Sequence, residues 1–301
     1  MKKVVIAITG LLLLGLIWYL FFKPYDYTVR FKTKTFPGAI NQTLKLWDQS
    51  LDTVRKVVEN GSLLSLTQRL KFGDSTHTYH WKIQSLTDST SKIQVNIRDV
   101  KHSFMNKIRV PFADTDFEKR SRKTVLDFME NLEEHRKKFK ITIEGEAEIP
   151  SKYVAYIPIK SIQFDKANGM MKNTSYIEQT LLQNGVELDG SPMLEVTKWN
   201  TNVDSLEYNF CYPVIYSKQL PQDTDIKYKQ INKKKAIKAI YNGNYITSDR
   251  AWYALIDYSK KNELDIQLKP IEVFYNNPHF GGNELNWKTE VYIPLQQTNK
   301  P

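Results

Sequence analysis

A near-constant offset between two stretches of this chain constrains its fold more than any other feature. Leu206-Glu207-Tyr208-Asn209-Phe210-Cys211-Tyr212-Pro213-Val214 aligns without gaps with Trp287-Lys288-Thr289-Glu290-Val291-Tyr292-Ile293-Pro294-Leu295, 81 residues further on. Upstream, Pro192-Met193-Leu194-Glu195 corresponds to Pro270-Ile271-Glu272-Val273, at an offset of 78. Each copy carries a helical stretch, Thr174–Asn184 and Ser248–Lys261, and reads strand, helix, strand, strand. The copies span about residues 148–218 and 226–297. A unit of this size does not bury an apolar face alone. Two such units pairing predict an α+β domain: one antiparallel sheet with both helices on one face and a concave seam between the copies.

The second copy holds an acid in an aromatic setting. Thr289, Val291 and Ile293 fall on one strand face, and Lys288, Glu290 and Tyr292 on the other. A buried carboxylate is costly unless a cation or several donors meet it. A site for a cationic or polar organic molecule needs that combination, one negative charge ringed by π faces. The competing reading is a partly exposed Glu at a strand end. The first copy has Asn209 where the second has Glu290. One charge and one amide suit a single cationic or hydrogen-bond-donating ligand, whereas a paired-carboxylate acid–base site wants an acid in both halves. The wall candidates are Tyr156, Tyr176, Phe210, Tyr241, Tyr245, Trp252, Tyr275 and Trp287, with Tyr292 beside the acid. For each taken singly, core packing is the simpler role.

Four landmarks occur in order over about 55 residues: Tyr241-Asn242-Gly243-Asn244-Tyr245, Ala251-Trp252-Tyr253-Ala254-Leu255, Pro270 to Pro278, and Trp287 to Leu295. This series resembles the GyrI-like domain, the effector-binding domain at the end of AraC- and MerR-type transcription activators. The resemblance implies a drug- or metabolite-sized pocket with an acidic residue at its floor, and Glu290 falls on that position. It implies no cofactor. Some GyrI-like proteins resemble small hydrolases, which would make Glu290 a general base with Tyr245 or Tyr292 polarising the substrate. No DNA-binding motif accompanies the series, so direct contact with nucleic acid is not expected.

The N-terminus carries a second signal. Nineteen residues, Val4 to Phe22, contain no charge. As a helix they span roughly 28 Å, close to the thickness of a bilayer's hydrocarbon core. Trp18, Tyr19, Phe21 and Phe22 lie at one end, where an aromatic belt belongs. The rival is a cleaved signal peptide, but the exit Phe22-Lys23-Pro24-Tyr25 offers no small-residue cleavage site. The run is therefore expected to anchor the chain in a cell membrane with a single pass, residues 1–23. Lys2 and Lys3 compete with Lys23, Arg30, Lys32 and Lys34, so charge leaves the orientation open.

Residues 24–143 are expected to form a first soluble domain. Tyr25 to Thr35 alternates as a strand, and Asn41 to Glu59 carries Leu44, Trp47, Leu51, Val54 and Val58 at helical spacing. Strands follow at Leu64–Phe72, Thr76–Ser85, Lys92–Val100 and Ser103–Val110, with Gly73-Asp74 and Asp88-Ser89 as turns. Thr115-Asp116-Phe117-Glu118 has the form of a capping box and opens a long helix. This order resembles the helix-grip fold of START-like, polyketide-cyclase-type (SRPBCC) domains, which would let Trp47, Tyr79, Trp81 and Phe128 line an apolar cavity or, more simply, pack a core. The boundary to the second domain, 144–301, is placed at the polar passage Glu144 to Ser151.

Composition excludes several alternatives. A single cysteine, Cys211, rules out an intramolecular disulfide framework and a Cys-based zinc site. The five histidines are scattered, and His77 and His80 face opposite sides of one strand, so no metal is expected. The net charge of +10 is dispersed; its densest run, Lys233-Lys234-Lys235, reads as a solvated strand edge or loop. Such a charge suits attraction to a membrane surface at least as well as nucleic acid. The expected partners are a small organic molecule, cationic or aromatic, and the lipid bilayer through residues 4–22. A small hydrolase and an envelope interaction protein are the alternatives.

Overall fold

The computed structural model describes residues 2–51, 53–87, 89–201, 204–222 and 225–296, with the backbone alone at 53–56. Asp88 of the expected Asp88-Ser89 turn lies outside them. The chain divides into two compact units, Met1–His135 and Arg136–Pro301.

The first unit opens with α1 (Lys2–Ile17), which continues as a wider π-helical turn, Trp18–Phe22. Together they are long and apolar enough to cross a membrane. There follow β1 (Tyr27–Thr33), α2 (Pro37–Asp48), β2 (Thr53–Glu59), β3 (Ser65–Phe72), β4 (Ser75–Thr87), β5 (Thr90–Asp99), α3 (Ser103–Arg109) and α4 (Asp116–Arg136). The strands form one antiparallel sheet in the order β1-β5-β4-β3-β2. Thr115 caps α4 by accepting from the Glu118 amide at 3.1 Å. Trp47, Tyr79, Trp81 and Phe128 are buried together, with Phe128 4.8 Å from the Trp81 ring and 5.4 Å from that of Trp47. These four are core. Strand, helix, strands and long helix recur in this order with two departures, and nothing beyond element order supports the START-like resemblance.

Two elements differ from expectation. The helix expected to run to Glu59 ends at Asp48, and Thr53–Glu59 is strand β2. Thr53, Val54, Val57 and Val58 are β-branched and favour extended backbone. The Asp48 carboxylate accepts from Gln68 Nε2 at 2.8 Å and from the Val57 amide at 2.9 Å, which fastens the reversal. Ser103–Val110, expected as a strand, is helix α3 followed by a turn.

The second unit consists of β6 (Phe139–Ile149), β7 (Lys152–Ile162), α5 (Lys166–Gln183), β8 (Met193–Asn200), β9 (Ser205–Pro213), β10 (Lys227–Ile231), β11 (Lys234–Gly243), α6 (Arg250–Lys261), β12 (Ile271–Phe274) and β13 (Lys288–Pro294). All eight strands join one antiparallel sheet in the order β10-β7-β9-β8-β12-β13-β11-β6. The order is a pseudo-twofold about the β8–β12 pair: β7 answers to β11, β9 to β13, and β10 to β6. Leu206–Val214 and Trp287–Leu295 thus occupy equivalent strands. The isolated bridges Leu188–Val214 and Ile266–Leu295 repeat the same offsets. β6 runs unbroken through residue 144, where the sequence places a domain boundary.

Both faces of this sheet are covered. Ala167, Met170, Ile177 and Leu181 of α5, with Ala251, Trp252 and Leu255 of α6, pack on Ala239, Tyr241, Val291 and Ile293. On the other face Ile149, Val154, Met193, Cys211, Ile271 and Tyr292 form a second cluster. Short turns join β6 to β7 and β10 to β11, although each pair lies at opposite ends of the strand order. The sheet therefore curls around this second cluster, and Lys233–Lys235 sit exposed at one of the turns. Strands buried on both faces lose the simple in–out alternation.

Candidate ligand site

A cavity of about 510 Å³ opens on the helix face of the second unit. Its floor and walls come from both repeats. The first contributes Ala167, Met170, Met171, Thr174 and Glu178 of α5, the Leu188–Pro192 loop, and Phe210 and Tyr212 of β9. The second contributes Tyr245 and Ile246, Phe274 at the end of β12, the Tyr275–His279 loop, and Trp287.

The aromatic wall is fixed in place. Tyr245 packs 4.8 Å from Phe274 and 5.4 Å from Trp287. Its hydroxyl donates to the Asn276 carbonyl at 3.0 Å and accepts from the Asn276 amide at 2.8 Å. Burial pushes that hydroxyl up to about 12. Gly243 makes the turn into this residue possible: its φ is +152°, and a Cβ there would stand 2.6 Å from the Tyr241 hydroxyl and 2.9 Å from Phe139 Cβ. Asn244 then caps the short Tyr245–Thr247 turn by accepting from the Ile246 amide at 2.9 Å. Opposite, Phe210 and Tyr212 meet edge to face at 5.3 Å.

The carboxylate of the cavity is Glu178. Tyr212 donates to its Oε1 at 2.7 Å, and the side chain is otherwise open to water. Burial, and then this bond, raise the Tyr212 hydroxyl above its usual range. Apolar rings around a solvent-reachable anion make a surface for a ligand with an aromatic body and a cationic or donating group.

Residues 162–296 match the family model described as the GyrI-like small molecule binding domain. This segment is a GyrI-like domain. No curated protein matches the chain. Among solved structures, the C-terminal domain of EcmrR is 17% identical, covering 53% of this chain and 99% of its own, at a TM-score of 0.44. SAV2435, solved bound to tetraphenylphosphonium, is 9% identical over 52% of this chain and 93% of its own, at 0.31. A hydrolase from Listeria innocua is 12% identical over 55% and 97%, at 0.33.

The GyrI-like domain sorts the expected site residues into four places. Tyr245, Tyr275, Trp287 and Phe210 line the cavity. Tyr241 and Trp252 are core, both 0% exposed; Tyr241 donates to the Asn244 carbonyl, and Trp252 Nε1 donates to Glu272 Oε1 at 2.8 Å. Glu290, Tyr292 and Tyr156 lie on the opposite face of the sheet and are not among the lining residues. Tyr176 is exposed on α5, also outside the lining.

Glu290 is held within a local network instead. Lys238 and Lys288 donate to Oε1 at 3.0 and 2.9 Å, and Tyr275 and Tyr292 to Oε2 at 2.9 and 2.8 Å. Burial alone raises a carboxyl, but the four donors outweigh it and pull this one down to about 2. A fully buried carboxylate met by a cation does exist, at Glu272. Lys166 Nζ donates to Oε2 at 3.1 Å and Ser248 Oγ at 3.0 Å, with both Lys166 and Glu272 at 0% exposure. Lys166 Nζ stands 5.5 Å from the Trp252 ring.

The sequence reading passes over Glu178, Met170, Met171, Tyr212 and Phe274 as lining residues. α5 begins at Lys166 rather than at Thr174, and Asn168-Gly169 reads locally as a breaker. The signal is nevertheless present, because Ala167, Met170, Thr174, Ile177 and Leu181 recur at alternating spacings of three and four.

Proposed function

We propose that this protein is a membrane-anchored small-molecule binder whose GyrI-like cavity takes a ligand with an aromatic or apolar body and a cationic or hydrogen-bond-donating group directed at Glu178. The observation that carries the reading is the pairing of the Tyr245–Phe274–Trp287 wall with a Tyr212-bound carboxylate across about 510 Å³. That volume lies within the usual range for organic ligands. Glu290 enters through Tyr275, whose hydroxyl it holds at the rim. A carboxylate pulled to about 2 by four donors is a weak base, so its environment favours binding over general-base hydrolysis. The uncharged run from Val4 to Phe22, long and apolar enough to cross a bilayer as one helix, supports the anchor.

Calorimetric titration of the detergent-solubilised full chain with a panel of aromatic cations tests the binding reading. Glu178→Gln is expected to weaken such a ligand by about 1–2 kcal/mol, the range for a hydrogen bond to a charged, water-accessible group. Trp287→Ala is expected to weaken it further. Affinity unchanged in both variants contradicts the assignment. Carbonate extraction of cells tests the anchor, which is wrong if the protein leaves with the soluble fraction.

A further inference from the structure

α3 is built inside out. Ser103, Asn106 and Lys107 point inward and are buried, while Phe104, Met105 and Ile108 point outward, 49%, 44% and 39% exposed. Phe112, just beyond the helix, is 88% exposed. An apolar helix face turned to water, with an ammonium group turned to the interior, is the reverse of a soluble helix.

The buried ammonium has a structural task. Lys107 Nζ donates to the carbonyls of Leu20 and Lys23 at 3.1 and 2.6 Å. These are end-of-helix carbonyls, among the groups a helix leaves unpaired at its C-terminus. Tyr19 donates back to the Lys107 carbonyl at 3.1 Å, and the Phe21 and Phe104 rings lie 5.7 Å apart. On its other side α3 is tied to the first unit, because Ser103 Oγ donates to Asp26 Oδ1 at 2.5 Å and the Asp99 amide donates to Asp26 Oδ2 at 3.0 Å. α3 is therefore clamped to the last turn of the apolar N-terminal helix, at the level of Trp18, Phe21 and Phe22.

We infer that α3 and Phe112 form a second membrane contact, an interfacial apron on which the first unit rests against the lipid surface beside the anchor. The inference rests on reading residues 4–22 as a membrane span. Given that span, the belt residues Trp18–Phe22 lie at the bilayer interface, and α3, hydrogen-bonded to the same turn, lies at the same depth. Its outward side chains then meet acyl and headgroup carbons rather than water, as in helices that lie in the interface plane. Exposed Arg109 flanks the patch and suits a phosphate headgroup, while Lys101 is paired with Asp74 at 2.6 Å. The clamp also makes the unit's tilt on the membrane a fixed property rather than a free swing on Lys23-Pro24.

The test uses the full chain in phosphatidylcholine–phosphatidylglycerol vesicles, with an environment-sensitive fluorophore on single introduced cysteines. Native Cys211 is fully buried and does not compete for label. The sites are Phe104→Cys, Phe112→Cys, Leu12→Cys in the span, and Leu86→Cys near the β4–β5 turn, the end of that hairpin away from α3. Nitroxide lipids labelled near the headgroup or deep in the chains serve as quenchers. The labels at 104 and 112 are expected to shift to the blue and be quenched by the shallow nitroxide, that at 12 by the deep one, and that at 86 by neither. If 12 is quenched but 104 and 112 respond only to aqueous iodide, the apron is refuted and the anchor stands. If 104 and 112 are shielded from iodide yet insensitive to nitroxide lipid, a second copy or another protein covers the patch, which also refutes the inference. If 12 escapes the deep nitroxide, the span fails and the apron with it.

Discussion

The two halves of the GyrI-like sheet share a fold but not an interior. In one half, α5 presents Met170 and Met171 toward an open cavity. At an offset of 82, the spacing that relates the Gln163–Asp165 turn to Tyr245–Thr247, α6 presents Trp252 and Tyr253. There the space beneath α6 is filled, and what remains is an open surface groove beside Trp199, lined by Thr197, Lys198, Gln267, Leu268 and Lys269. Trp199 packs 5.1 Å from Trp252 and 5.5 Å from Tyr253, and Gln163 bonds to Trp199, Tyr253 and Asp249. Duplication supplied two equivalent seams; side-chain volume reduced one to an open groove and left the other as a cavity walled by aromatic rings.

The charges divide the same way. Where the first repeat has Leu194, the second has Glu272, sealed beneath α6 with Lys166. Burial raises the Glu272 carboxyl despite Lys166 and Ser248. On the far face Glu290 is lowered, because four donors reach a side chain that still touches water. One carboxylate holds the closed half together, one braces the far face, and a third, Glu178, faces the cavity.

The closed half is expected to carry the larger share of stability. Lys166→Met leaves Glu272 buried without its cation and is expected to cost about 3–5 kcal/mol. The double replacement Lys166→Met with Glu272→Leu, which restores the first repeat's own residue at that position, is expected to recover most of that loss. Thermal melts of the solubilised chain check both, and a mild single variant would break the comparison. Trp252→Ala is expected to cost about 3–5 kcal/mol as a core cavity, against about 1 kcal/mol or less for Met171→Ala, whose side chain is 55% exposed.

Glu290→Gln sharpens the contrast at smaller scale. A carboxyl lowered from 4.5 to about 2 stabilises the fold above its unfolded value and loses that contribution as pH falls through the folded one. The variant is therefore expected to be less stable by ~1–3 kcal/mol at neutral pH. The gap to the parent closes between about pH 5 and pH 2. A gap constant across that range would show that the carboxylate's charge is not what matters.

Periodicity made the duplication, α6, β3–β5 and the equivalence of β9 and β13 readable in the chain. It failed where a local pattern served a different environment. Apolar residues at Phe104, Ile108 and Val110 give the alternation of a strand, yet Phe104 and Ile108 lie on the outward side of a helix while Val110, in the turn after it, packs on the core. Val54 and Val58 extend the spacing of Leu44 and Trp47 across a chain reversal. The site was half legible: Tyr245, Tyr275, Trp287 and Phe210 come together, but choosing Glu290 over Glu178 required knowing which face of a doubly covered strand holds the cavity. Nothing in the alternation around Glu290 carries that information.

The central claim is that the open half, not the Glu290 face, receives the ligand. Copying the closed half into the open one tests it: Met170→Trp with Met171→Tyr, titrated beside Glu290→Gln against an aromatic cation that binds the parent chain, with melts to establish cooperative unfolding. The filled variant is expected to lose binding while still melting cooperatively, and Glu290→Gln to bind within about twofold of the parent. Binding retained by the filled variant and lost in Glu290→Gln would contradict the account.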